Sequence, residues 1–294
     1  MNISRPLAGM AAILCAAGLA LTGTAGANAA EKQNTGLPDH IVNGDFSYPA
    51  WDSIPLSGVP SAWNPDFHWT SILSDTGQAY AGPMVPTDGV TAGWQAIPGF
   101  DADRFGWKST QADCQASNEN ILPGQCKAGA VELQHTSESQ HAEITAAQEH
   151  TAIYQDIATI PGAVYTWSLK HASLDGTKPA NSMQVLIGDP GRETAQEAER
   201  VTVNGHGDQR GPVGTIIRTT STAATPADDL PNQWETYEGT YVATSTVTRF
   251  TFKAINGHSD TEGNLVDDIS FEISYPLTYE LNGGAGVIPN KEVE

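Results

Sequence analysis

Cysteine is scarce. The 294-residue sequence holds 3, and Cys15 lies in the N-terminal segment. That leaves Cys114 and Cys126 flanking a polar loop, residues 115–125. Two thiols at this spacing, with no second Cys or His pair beside them, do not make a zinc site. As a pair they fit one disulfide, and so an oxidising compartment. Positive charge is scarce as well: 14 Lys and Arg stand against 34 Asp and Glu, a formal net charge of −20. Such a surface repels nucleic-acid phosphates and anionic membranes, which excludes both as expected partners. It also favours solubility. Helical periodicity is almost missing, and 29 Gly with 18 Pro disfavour a helical fold. Past residue 30 no apolar run approaches the ~20 residues of a membrane span. Motifs of the Gly-x-Ser-x-Gly, His-Glu-x-x-His and P-loop kinds are absent, so no catalytic residue is assigned and the chain is read as a non-enzyme.

The first thirty residues read as a secretory signal peptide. Arg5 supplies the positive start, Leu7 to Leu21 is apolar or small, and Ala27-Asn28-Ala29 is a cleavage signal. The expected organisation is 1–30 signal peptide, 31–40 flexible leader, 41–275 β-sandwich domain and 276–294 incomplete repeat or tail. The expected location is outside the cell, as a monomer.

From Ile41 the chain reads as short strands separated by Gly, Pro, Asn and Asp clusters. Ala130 to Leu133 is one strand. Tyr165, Trp167 and Leu169 alternate, as do Met183, Val185 and Ile187, and Phe250, Phe252 and Ala254. Leu265, Ile269, Phe271 and Ile273 share one parity, broken only by Asp267. Period-two alternation means one buried and one wet face, the pattern of antiparallel sheets. The fold class expected is all-β, a jelly-roll β-sandwich of two antiparallel sheets with a short C-terminal β segment outside it. Only Arg192 to Arg200 reads as helical. Asn64 to Asp103 and Asp189 to Val213 read as long loops. At the C-terminus, Leu277 to Leu281 reads as a new strand and Asn282-Gly283-Gly284 as a hairpin turn.

Two resemblances rest on these residues. Tyr279-Glu280-Leu281-Asn282-Gly283-Gly284-Ala285-Gly286 resembles the opening strand of an internalin-type B repeat, the Listeria–Bacteroides repeat of Gram-positive surface proteins. The region from Ile41 to Tyr275 resembles the jelly-roll domains of bacterial surface proteins and carbohydrate-binding modules. The stretches that carry it are Asn43-Gly44-Asp45-Phe46, which resembles their opening strand, Gly106-Trp107-Lys108-Ser109-Thr110, Ile153-Tyr154-Gln155-Asp156-Ile157 with Tyr165-Thr166-Trp167, and Leu265-Val266-Asp267-Asp268-Ile269, which resembles their closing strand. Ser47 stands where many such domains have Glu.

The resemblance implies a structural calcium ion held by Asp45, Asp267 and Asp268, since oxygen ligands near both chain ends would staple the sandwich. The other reading is that one Asp caps a turn and its neighbour is solvated. Five of the seven Trp fall between residues 51 and 107. Of these, Trp63 and Trp69, with Asp66 and His68, are the residues assigned to a ligand, because flat aromatics beside polar groups suit sugars. Trp107 and Trp167 are assigned to the core. Glu132 and Glu143 are considered as opposed carboxylates, and His135 and His141, six apart, as neighbours on one strand face. The expected function is a non-catalytic secreted or cell-surface module of an adhesin-like protein, binding a glycan or a host or matrix ligand, or serving as a stalk. The alternative is the carbohydrate-binding module of a secreted glycoside hydrolase.

Overall fold

Segments whose apolar side chains recur every second residue become strands, because a pleated backbone sends alternate side chains to opposite faces. The computed structural model describes residues 35–55, 59–60, 68–81, 93–114, 124–135, 140–145, 147–173, 181–203, 210–211, 213–218, 234–257 and 263–275. The strands among them are, in chain order, β1 (Val59–Pro60), β2 (His68–Leu73), β3 (Gln78–Ala81), β4 (Gly93–Ala96), β5 (Lys108–Ser109), β6 (Ala130–His135), β7 (Gln140–Glu143), β8 (Ala152–Ala158) and β9 (Val164–Ser173). Then follow β10 (Ser182–Gly188), β11 (Thr194–Ala195), β12 (Ala198–Val203), β13 (Val213–Gly214), β14 (Ile217–Arg218), β15 (Glu235–Val242), β16 (Val247–Asn256) and β17 (Asn264–Ser274). Among the described residues a 3-10 turn, Trp51–Ser53, precedes them and one α-helical turn, Ala102–Phe105, interrupts them.

The strands assemble into two antiparallel sheets facing one another. The larger runs β13-β12-β15-β9-β17-β7-β6-β2-β3-β4, with β1 added beside β2. The smaller runs β11-β10-β16-β8-β5, with β14 beside β10. Between them lies one apolar core. Its aromatic spine comprises Tyr165 stacked on Phe271 at 4.7 Å, Phe250 5.2 Å from Phe271, and Phe46 stacked on Trp107 at 5.2 Å. Trp107 and Trp167 are buried in it, as expected, Trp167 from within β9 and Trp107 from just before β5. Each such side chain contributes about 1.5–3 kcal/mol on leaving water.

Several local expectations are corrected. Residues 192–200 are not a helix: Thr194–Ala195 pairs with β10, and Glu199 and Arg200 pair with β15. Tertiary pairing overrides their helix propensity. The long loop expected over 64–103 contains β2, β3, β4 and the helical turn, and that expected over 189–213 contains β11 and β12. Asn43-Gly44-Asp45-Phe46 is not a strand. Asn43 and Phe46 have φ of 54° and 51°, in the left-handed region. Asn43 closes the turn with its own side chain, donating to the Tyr48 carbonyl at 2.8 Å and accepting from the Tyr48 N–H at 2.9 Å.

That opening turn docks on β17. The Ile269 N–H donates to the Gly44 carbonyl at 3.0 Å. A Cβ on Gly44 would lie 2.1 Å from the Ile269 carbonyl oxygen, so glycine is required by close approach. β17 itself carries a register shift between Asp267 and Ser270, with Asp268 at φ 45°. The bulge turns the strand over. Phe271 and Ile273 face the core opposite Trp167 and Tyr165, whereas Leu265 faces outward with Ala172 and Trp234. The single parity expected for Leu265, Ile269, Phe271 and Ile273 therefore holds only after the bulge.

The expected disulfide joins Cys114 to Cys126 with Cα atoms 5.2 Å apart. Residues 276–294, where the repeat-like segment falls, lie outside the described residues, as does the signal-like segment.

Candidate functional site

The residues with polar chemistry gather on the outer face of the larger sheet, across β2, β6 and β7. Register decides which side chains meet, because directly opposed residues share a face. Glu132 of β6 is opposed by Ser71 of β2 and Glu143 of β7. Two residues along, Gln134 is opposed by Trp69 and His141. The result is a patch of Ser71, Glu132, Gln134, His141 and Glu143, all buried. Aromatic rings border it. Trp69 stacks on Tyr80 with ring centres 6.3 Å apart, and Tyr80 meets Trp94 edge-on at 5.4 Å. On the other side Trp234, just before β15, sets its ring against His141 at 5.3 Å. Trp69 packs against the cluster of Ala172, Trp234 and Leu265, so the two indoles cover the polar patch. Trp69 and Trp94 remain half-buried. The Trp94 indole N–H donates to the Gly124 carbonyl at 2.7 Å, and Lys127 lies 5.4 Å over its ring.

Gln134 Nε2 is the hub of the patch. It donates to Glu132 Oε1 at 3.2 Å and to Glu143 Oε2. Burial holds the Glu132 carboxyl well above the usual carboxylate range, against the opposing effect of hydrogen bonds from Gln134 and Glu143. Burial pushes His141 down to about 3, and the charge of His135 adds to that, so the imidazole is neutral. Neither of its ring nitrogens has a hydrogen-bond partner among the described residues; nor have Ser71 Oγ and Gln134 Oε1. Buried polar atoms are ordinarily paired.

This geometry bears on the two carboxylates. The flanking pair of a glycosidase stands about 5–5.5 Å or about 6.5–9.5 Å apart, leaving room for the sugar or a water. Glu132 and Glu143 instead oppose one another directly across β6 and β7 and accept from the same Gln134 amide. With both carboxyls drawn onto the one Gln134 amide, they stand too close to leave such a space. Both are buried, at 4% and 0% exposure.

The sequence-assigned residues are not brought together. Trp63 and Asp66 lie outside the described residues. His68 and Trp69 are adjacent in β2 and point to opposite faces. Trp69 belongs to the outer patch, whereas His68 opposes His135 on the core side, where Trp51 stacks on His135 at 4.8 Å. His135 and His141 do not share a face: a hairpin separates them, and His135 opposes Gln140 while His141 opposes Gln134. Parity counted through a turn fails because the chain reverses there.

The three aspartates sit where the opening turn meets β17. The charges of Asp268 and Asp45 both raise Asp267, which burial above all lifts to about 7. Asp268 pairs with Lys170 at 2.5 Å, Asp45 accepts from the Ser47 N–H and hydroxyl, and Asp267 accepts from the Asp268 N–H at 2.8 Å. Among the described residues no three His, Cys, Asp or Glu side chains form a metal-holding group.

Tyr80, Trp94, Gln134 and Trp234 complete the site, and none was assigned to it from the sequence. The available signal was spacing by two: Trp69 with Ser71, Glu132 with Gln134, His141 with Glu143. What joins these pairs is register between strands.

No protein-family model matches the sequence, and neither does any protein of curated function. Solved structures show a weak likeness. The N-terminal cellulose-binding domain of β-1,4-glucanase C from Cellulomonas fimi is 15% identical, over 59% of this chain and 91% of that one, with a TM-score of 0.30. A family 35 carbohydrate-binding module from Clostridium thermocellum is 11% identical over 46% and 78%, with a TM-score of 0.26. The K3 cleaved adhesin domain of Lys-gingipain from Porphyromonas gingivalis w83 is 12% identical over 57% and 91%, at 0.28. At such scores the likeness carries no argument, and the architecture rests on the strands and their pairing.

Proposed function

We propose that the chain is an exported, non-catalytic module that binds a glycan on the outer face of its larger sheet. The observation that carries this reading is the pair of half-buried indoles, Trp69 and Trp94, set on either side of the buried Tyr80 ring and beside a patch of buried amide, imidazole, hydroxyl and carboxyl groups. Sugar rings offer flat C–H faces that stack on indoles and hydroxyls that pair with such polar groups. The contact between Glu132 and Glu143 weighs against a hydrolase built on them. The signal-like first thirty residues support export, and the acidic composition supports a soluble, extracellular setting. The test is calorimetric titration of the protein against an oligosaccharide panel, repeated with Trp69→Ala and Trp94→Ala. Each substitution is expected to weaken binding by about tenfold or more, as loss of a central aromatic anchor does. Unchanged affinity in both variants would remove this face from consideration.

A further inference from the structure

We propose that the outer face is a charge filter: it accepts uncharged saccharides and rejects those bearing carboxylate or sulfate groups. This rests on the glycan-binding reading above and names the ligand class that the same face takes. Three observations carry it.

The first is the donor and acceptor inventory. A carboxylate or sulfate accepts hydrogen bonds and offers none, so its site must be rich in donors. The patch is rich in acceptors. Gln134 has committed its Nε2 to both glutamates, which leaves its Oε1 as an acceptor lacking a partner among the described residues. The neutral His141 ring has one donor and one acceptor nitrogen, and Ser71 Oγ both donates and accepts. A sugar hydroxyl, which also donates and accepts, matches every one of these atoms. An anion leaves the acceptors facing its own oxygens.

The second is that, among the described residues, no compensating cation stands at the centre. Glu132 is held by an amide and by an acid, Gln134 and Glu143. Burial keeps His141 uncharged. Lys170, on the same face further along the sheet, is engaged by Asp268 at 2.5 Å. Lys127 lies at the far rim, over Trp94. The third is the wider field: at net −20 the molecule repels anions before contact.

The patch lies beneath Trp69 and Trp234, so a ligand reaches it by displacing an indole, a side-chain rotation of the kind common at binding surfaces. Binding therefore has its own signature, a change in tryptophan emission.

The experiment uses matched probes: neutral xylo- and gluco-oligosaccharides, and the same backbones carrying uronate or sulfate, titrated by calorimetry and by tryptophan fluorescence. The neutral member of each pair is expected to bind roughly tenfold or more tightly than the anionic one. Replacing both carboxyls, Glu132→Gln with Glu143→Gln, is expected to narrow that gap. Raising the salt concentration on the unaltered protein is expected to narrow it too, which keeps the test open if the double variant misfolds. An anionic probe that binds as tightly as its neutral partner overturns the filter while leaving the glycan reading intact. Failure of every probe to bind or to change the emission overturns both.

Discussion

Single positions in this fold are tightly constrained where the backbone comes close. Gly44 is one: a methyl group there meets the Ile269 carbonyl and strains the hydrogen bond that ties the opening turn to β17. Gly44→Ala is expected to cost about 3 kcal/mol in denaturant unfolding, from overpacking plus a lost hydrogen bond. Buried titratable groups set the pH response. His141 and His171 are depressed from 6.5 to about 3 and about 4, each mainly by burial. Their stabilising contribution is complete above pH 6.5 and is lost as pH falls toward those values, because the unfolded chain binds the proton first. His141→Gln is therefore expected to lose less melting temperature between pH 7 and pH 4 than the unaltered protein. Asp267 runs the other way. Its folded value is raised from 3.8 to about 7, so its contribution is present below 3.8 and lost as pH rises through 7. Asp267→Asn keeps an acceptor for the Asp268 N–H and is expected to gain stability relative to the unaltered protein on moving from pH 5 to pH 8. A constant difference across that range would show that the carboxyl does not titrate there.

At the scale of the element, the disulfide and the bulge matter most. The Cys114–Cys126 bond closes a short loop whose end packs on Ala147. Replacing both cysteines with serine is expected to lower unfolding free energy by about 2–3 kcal/mol, read from denaturant melts. Strand identity was legible from the alternation of Tyr165, Trp167 and Leu169, or of Met183, Val185 and Ile187, because each run stays on one side of one element. The site was less legible. Trp69 was identified, yet its partners Tyr80, Gln134, His141 and Trp234 come from four other parts of the chain. His68 was grouped with Trp69 by adjacency, which in a strand separates side chains. Leu265 was placed with Phe271 by parity, and the Asp267–Ser270 bulge reverses it. These misreadings share one cause: periodicity is local, while register, turns and bulges decide which local runs face each other.

For the whole molecule, the order of strands is the main fact. β17 pairs with both β9 and β7 in the interior of the larger sheet, and its bulge receives the opening turn. A chain ending before Asn264 is thus expected to lack cooperative unfolding and to expose its apolar core, detectable by loss of near-ultraviolet circular dichroism. A sharp unfolding transition in that truncated chain would mean that the two halves of the larger sheet stand alone. Synthesis proceeds from the other end. The strand that joins the halves emerges after every other described strand, so the nascent chain stays open until about residue 275 has been made. A chain in that condition is one that a translocation pore can still thread, which fits the export proposed above.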